Sequence, residues 1–200
     1  MTSRKNRGFT LLELTITIAI SLTMACVTFM ALIPLLHQNH VDAAFDTTIS
    51  AISGYRNQAT SRTRRYVLTF TNPGTITVQY WPGGVPSPPP VTVVTYNLPT
   101  DIQFAVQAGF PNPGPDGFGD GTNPVAFNAC TVIEAGQPCV VLMPDGSAQD
   151  DSGNSDGGVV YLTRPGDLYS SRAISVIGPS GRVRGWRLYN QSGNTWVQQQ

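Results

Sequence analysis

The chain has 200 residues and equal numbers of acidic and basic side chains, 12 of each, so its formal net charge at pH 7 is zero. A neutral chain has no global field that attracts nucleic acid or an acidic partner, and any electrostatic function must therefore be local. Only 12% of the residues are charged, whereas glycine (20) and proline (16) are plentiful, which favours a turn-rich β structure over a helical bundle.

The N-terminus consists of a short basic segment followed by a long apolar one. Residues 1–8 contain three cations, as expected of a cytoplasmic leader under the positive-inside rule. Residues 9–33 carry a single charge, Glu13, and as a helix they are long enough to cross a hydrocarbon core of about 30 Å. A carboxylate in such a helix costs about 2.5–3.5 kcal/mol on insertion scales. Glu13 is therefore a candidate functional residue.

The segment from Gly8 to Leu14, Gly-Phe-Thr-Leu-Leu-Glu-Leu, resembles the signature of type IV prepilins. In that family the prepilin peptidase, a membrane protease, cuts after the glycine and methylates the new N-terminus. The resemblance implies cleavage between Gly8 and Phe9, N-methylation of Phe9 and a role for Glu13 in subunit assembly. In a filament, the Glu13 carboxylate would neutralise the cationic N-terminus of a neighbouring subunit. The alternative is an ordinary membrane anchor with a stray glutamate.

A helix is predicted to continue beyond the apolar run. Pro34 removes a backbone donor and predicts a kink, and apolar residues then recur at three- and four-residue steps from Leu36 to Tyr55, which indicates one face packed on a head. We therefore expect three regions. They are a leader (1–8), a helix (9–65, membrane-spanning over 9–33 and amphipathic over 35–65) and a head (66–200).

The head is predicted to be mostly antiparallel β. Two strands, 66–70 and 75–81, flank an Asn-Pro-Gly turn and predict a hairpin. Two loops rich in glycine and proline interrupt the pattern, and further strands are predicted at 91–98, 102–106, 125–127, 140–143, 159–163, 173–177 and 183–188. The predicted fold class is α+β, a long N-terminal hydrophobic helix packed on a mostly antiparallel β-sheet head, which is the lollipop shape of pilins.

The C-terminal half resembles the GspH/FimT family of minor pseudopilins and pilins. The similarity lies in the strand and Asp-Gly turn at 140–147, the strand that begins at 158 and the Gly-Arg element at 181–184. It implies a subunit of a type II secretion pseudopilus or a type IV pilus that primes assembly or acts near the tip. Its implied partners are other pilins, the inner membrane assembly platform and secreted substrates. The anchor would lie in the cell inner membrane and the head in the periplasm.

An arginine cluster near the C-terminus suggests an alternative function. The cluster consists of Arg182, Arg184, Trp186 and Arg187. On a strand, Arg182, Arg184 and Trp186 alternate onto one face, and upstream Arg172 is a candidate neighbour. Cations beside a stacking ring suit a DNA backbone, and FimT-like pilins with this motif are implicated in DNA capture. The other interpretation is that these arginines pair with acidic loops or line a subunit interface.

Cys130 and Cys139 flank a short segment and are predicted to form a disulfide in an oxidising compartment. Closing a loop of this length stabilises a fold by about 2–3 kcal/mol on loop-entropy grounds. Cys26 lies in the apolar run and is expected to behave as a small apolar residue.

No catalytic signature is present in the sequence, such as G-x-S-x-G, H-E-x-x-H or a phosphate-binding loop. We therefore expect no enzymatic activity and no cofactor. His37 and His40 have a spacing that could hold a metal on one helix face, but a polar collar beside the membrane is preferred. The aspartates between 145 and 156 fail the EF-hand spacing and predict a solvated loop, so no metal site is predicted.

Overall fold

The computed structural model describes residues 10–82, 90–131, 136–191 and 193–199, and it gives the backbone alone for residues 31–36. The predicted leader and the predicted cleavage site, Gly8 and Phe9, lie outside these residues. The chain divides into two compact units, residues 1–39 and 40–200, and each is described by itself.

One long helix, α1 (Leu11–Arg62), begins in the first unit and ends in the second. Thr10 caps its N-terminus, because the Glu13 N–H donates to Thr10 Oγ1 at 3.2 Å and the Leu14 N–H donates to the Thr10 carbonyl at 3.1 Å. Pro34 lies within α1 and does not end it, so the prediction that the helix continues beyond Pro34 is confirmed.

In the described part of the chain, the second unit contains two five-stranded antiparallel sheets, which confirms the predicted α+β class. Sheet 1 has the order β3-β2-β1-β5-β6, and sheet 2 has the order β10-β9-β8-β7-β4. The strands are β1 (Arg65–Thr71), β2 (Thr75–Trp81), β3 (Val91–Asn97), β4 (Gln103–Phe104), β5 (Cys139–Leu142), β6 (Ala148–Gln149), β7 (Gly158–Arg164), β8 (Asp167–Ile177), β9 (Arg182–Asn190) and β10 (Asn194–Gln199).

The part of α1 in the second unit shares one hydrophobic core with both sheets. Its predicted apolar stripe is confirmed, since Val41, Ile52 and Tyr55 are buried while Phe45 and Ile49 pack against the core from half-buried positions. The sheets contribute the inward side chains of their central strands, which include Leu68, Ile76, Val140, Val160, Leu162 and Ile174. This shared core fixes the position of α1 on the head.

The strand prediction differs from the structure in several places. Strand β6 was not predicted, β8 begins at Asp167 and not at 173, and the strand predicted at 102–106 is shorter. The strand predicted at 125–127 is wrong, because Val125 makes only an isolated bridge to Val160. The burial of Val125 and Phe127 on the core explains the strand-like apolar pattern. Strand β10 was not predicted because its polar sequence does not alternate, and pairing with β9 is what makes it a strand.

Candidate functional site

The first candidate site is the N-terminal part of α1. Residues Leu11–Met30 form a helix that is long and apolar enough to cross a membrane by length and composition, with a mean hydropathy of 1.9. Its large apolar side chains are exposed along the whole segment, from Leu11 at 82% to Met30 at 76%. Such a surface requires a lipid or protein environment to cover it.

The hydroxyl groups in this segment are satisfied by the helix itself. Each donates to a backbone carbonyl three or four residues earlier at 2.8–2.9 Å, and the donors are Thr15, Thr17, Ser21, Thr23 and Thr28. In a bilayer, these side chains would therefore leave no hydroxyl donor without an acceptor.

Glu13 differs from these hydroxyl residues. Its backbone N–H is bonded to Thr10, but its carboxylate has no hydrogen-bond or ion-pair partner among the residues that the structure describes. An ionised carboxylate is costly in lipid unless a cation pairs with it. Within the described residues, the geometry thus presents a carboxylate on an apolar helix with no cation beside it.

Comparison with protein-family models identifies a prokaryotic N-terminal methylation motif at residues 3–25. With the apolar helix, the motif supports a type IV prepilin-like protein anchored in a membrane. It implies processing by prepilin peptidase and assembly with other pilins. No curated protein and no solved structure matches the chain.

The second candidate site is the arginine cluster, which β9 divides between two faces of sheet 2. In the pairing with β8, Arg184 lies opposite Ser175, and Arg187 lies opposite Arg172. Because side chains alternate along a strand, Arg184 lies on the outward face and Arg187 lies on the face that packs on α1. The expectation that Arg172 neighbours Arg184 is therefore wrong: its neighbour is Arg187.

The outward residues of the cluster are held by a loop. Arg184 Nη1 donates to Asp116 Oδ1 at 2.6 Å, and the Ser175 hydroxyl donates to the other Asp116 oxygen at 2.5 Å. Trp186 Nε1 in turn donates to the Ser175 hydroxyl at 2.9 Å. The Arg184 charge and the Trp186 N–H therefore already have partners within the chain.

The inward arginines are also engaged. Arg172 is 4% exposed, and its Nη2 donates to Asp42 Oδ1 of α1 at 2.7 Å. Burial lowers the pKa of Arg172, and the hydrogen bond to Asp42 opposes that shift. Arg187 lies over the Tyr189 ring, 5.3 Å from its centroid. Of the predicted cluster, Arg182 alone is an exposed residue.

Cys130 and Cys139 are joined by a disulfide in the structure. Two aspartates bind the chain on either side of Cys130. Asp151 accepts hydrogen bonds from the Thr131 N–H and hydroxyl, and Asp156 accepts two hydrogen bonds from Asn128. Burial raises the pKa of Asp156. Two aspartates of the loop predicted to be solvated are thus buried acceptors.

Pairing of the arginines with acidic loops was one interpretation of the sequence, and Arg184 does pair with such a loop, but no sequence feature singled out Asp116. Asp116 lies in a glycine- and proline-rich loop, 68 residues earlier in the chain. From the sequence, Asp116 is indistinguishable from an ordinary solvated turn residue. Arg56 on α1 was also missed, because one cation on the polar side of an amphipathic helix is indistinguishable from a solvated one.

Proposed function

We propose that this chain is a minor pilin or pseudopilin of the GspH/FimT type. In this proposal the peptidase cuts after Gly8, Phe9 becomes the methylated N-terminus, and α1 packs into a type II secretion pseudopilus or a type IV pilus. The observation that carries the proposal is the Glu13 carboxylate, which has no partner among the described residues, on an exposed apolar helix that bears the methylation motif.

Cleavage would create the charge that Glu13 lacks. It exposes an α-amine at Phe9, and in the low dielectric of packed helices this amine attracts a carboxylate far more strongly than in water. Neither ion is tolerable alone in lipid, so pairing between neighbouring subunits removes a cost from both. The pair would fix the axial register of one helix against the next.

The head would supply contacts rather than enzymatic turnover. The anchor of the chain would lie in the inner membrane and the head in the periplasm, and the assembly platform would deliver subunits to the growing filament. Near the tip, the head would prime assembly or contact secreted substrates. A disulfide between Cys130 and Cys139 suits this oxidising compartment.

Display of a FimT-like DNA-binding surface is the alternative that we rank second. Backbone recognition needs several free cations that follow the phosphates. Arg184 is paired with Asp116, and Arg187 lies on the inward face of sheet 2. Arg182 is the member of the cluster that this alternative still has available.

The experiment is to compare Glu13→Gln with Thr17→Val in a host that assembles the filament. Thr17 is the matched control, because its hydroxyl bonds only to the carbonyl of its own helix. We expect Glu13→Gln to be cleaved normally but to be lost from sheared filaments at least tenfold, while Thr17→Val behaves as wild type. Wild-type incorporation of Glu13→Gln would contradict the proposal.

A further inference from the structure

A pocket of about 480 Å³ lies where α1 meets the turn that precedes β9. The helix contributes Ser53, Arg56 and Asn57, the turn contributes Ser180 and Gly181, and the start of β9 contributes Arg182 and Val183. No acidic residue lines it. The pocket therefore has the donors and the charge to hold a small anionic group.

The Arg56 guanidinium is fixed in place by the backbone. Its Nε donates to the Gly146 carbonyl at 3.0 Å, and its Nη2 donates to the Ser180 carbonyl at 2.8 Å. A Cβ at Gly181 would lie 2.8 Å from Arg56 Nε, so the turn needs glycine for this approach. These bonds use two of the five N–H donors of the guanidinium and leave three for a ligand.

The charge of this pocket is uncompensated within the described residues. Neither Arg56 nor Arg182 forms an ion pair there. Of the head carboxylates that the structure describes, Asp46 on α1 is the one that accepts no hydrogen bond, and it is exposed. One chain thus carries both an open cationic pocket and a carboxylate without a partner.

We infer that Arg56 and Arg182 form a carboxylate-binding site that receives Asp46 of a second copy of this chain. This inference rests on the proposed function, in which helices of neighbouring subunits pack side by side. Asp46 and Arg56 are ten residues apart, about 15 Å along α1. Two parallel copies shifted by about that distance, allowing for the reach of the side chains, bring the carboxylate to the pocket.

Such a contact is head-to-tail, because the two partners use different surfaces. Each copy that fills a pocket still has its own pocket open, so the contact can propagate as a helical array. A single carboxylate fits this site better than a nucleic acid does. Arg184, the next arginine after Arg182 along β9, is already paired with Asp116 and so does not extend a cationic row for phosphates.

The first test is a charge swap in the full chain, scored in sheared filaments. We expect Arg182→Glu and Asp46→Arg each to lower incorporation at least fivefold, and the double variant to recover at least half of the loss. Failure of the double variant to recover would mean that the occupant is a different subunit. Loss of DNA retention by Arg182→Glu with normal incorporation would mean that the ligand is nucleic acid, and either result overturns the inference.

The second test is cysteine cross-linking between two tagged copies in a Cys26→Ser background. Asp46→Cys in one copy should form a disulfide-linked dimer with Arg182→Cys in the other. Arg164→Cys is the control, because β7 places it at the far end of sheet 2 from the turn. Equal yields for Arg164→Cys and Arg182→Cys, or no dimer, would contradict the inference.

The behaviour of the wild-type chain distinguishes a failure of the carboxylate-binding site from a failure of the proposed function. If the wild-type chain is cleaved and enters filaments but the Asp46 and Arg182 variants do so equally well, the carboxylate site is wrong and the proposed function stands. If the wild-type chain is neither cleaved nor incorporated, the proposed function fails, and the inference fails with it.

Discussion

Asp116 accepts a hydrogen bond from Arg184 at 2.6 Å and thereby ties a glycine- and proline-rich loop to the outward face of sheet 2. Beneath the loop lies a second apolar cluster in which Val159, Tyr161 and Ala173 are buried. Phe110 and Phe118, which flank Asp116 in the chain, pack on that cluster. The ion pair and the apolar contacts together hold a segment that has almost no regular secondary structure.

The first prediction concerns this ion pair. Asp116→Asn removes the charge that faces Arg184, so the free energy of unfolding of the detergent-solubilised chain should fall by about 1.5–3 kcal/mol, the range for a hydrogen bond to a charged group. Asp120→Asn is the control, because its carboxylate is exposed and bonds within its own turn to Thr122. Chemical denaturation followed by tryptophan fluorescence measures both.

A double-mutant cycle with Arg184→Met isolates the pair from the loop. If Asp116 and Arg184 act together, the double variant should lose less stability than the sum of the single variants. Strict additivity would show that the ion pair contributes nothing to the stability of the head.

The limits of prediction from sequence follow from how far apart the interacting residues are. The apolar stripe from Val41 to Tyr55 was predictable because helix periodicity is local. The pairing of Arg187 with Arg172 depends on which residues of β8 and β9 lie opposite each other, and a single sequence does not reveal strand register. The partner of Arg184 sits in a loop without periodicity, so no local pattern indicated it.

The second prediction contrasts two glycines. A Cβ at Gly185 of β9 would lie 2.2 Å from Cζ of Phe45, a residue of α1. Gly185→Ala should therefore destabilise the head by about 1–3 kcal/mol through overpacking, and Phe45→Leu should recover part of that loss. Gly54→Ala on α1 meets nothing within 4 Å and should stabilise the helix by about 0.5–1 kcal/mol.

Thermal denaturation of Gly185→Ala, of Gly185→Ala combined with Phe45→Leu, and of Gly54→Ala checks this contrast. Equal effects of Gly185→Ala and Gly54→Ala would contradict the close approach of Phe45 to β9.

The third prediction concerns the disulfide. Replacing Cys130 and Cys139 by alanine opens a loop with a sequence separation of 9 and should lower the free energy of unfolding by about 2–3 kcal/mol. Cys26→Ser lies in the first unit and should leave the unfolding of the head unchanged. The comparison uses urea denaturation under non-reducing conditions, and an unchanged midpoint for the double alanine variant would refute the prediction.

The fourth prediction is a pH dependence at the turn beside the carboxylate-binding site. Hydrogen bonds from the Ser147 side chain and N–H hold the pKa of Asp145 below its usual value of 3.8. A lowered pKa means that Asp145 stabilises the fold above pH 3.8 and that this stabilisation is lost as the pH falls through the folded-state pKa. Asp145→Asn should therefore lower Tm at pH 7, and the difference from wild type should shrink below pH 3.8.

Asp46→Asn is the control for this pH series, because the Asp46 carboxylate accepts no hydrogen bond within the described residues. A constant Tm difference between Asp145→Asn and wild type from pH 7 to pH 3 would contradict the assignment.

The chemistry of the N-terminus tests most directly whether this chain is a prepilin. Intact mass and N-terminal sequencing would be done on membrane-extracted protein from cells with and without prepilin peptidase. A prepilin would show an N-methylated Phe9 terminus that appears only when the peptidase is present. An intact Met1 terminus, or a cut after the apolar segment near Ala31, in cells that contain the peptidase would contradict this expectation.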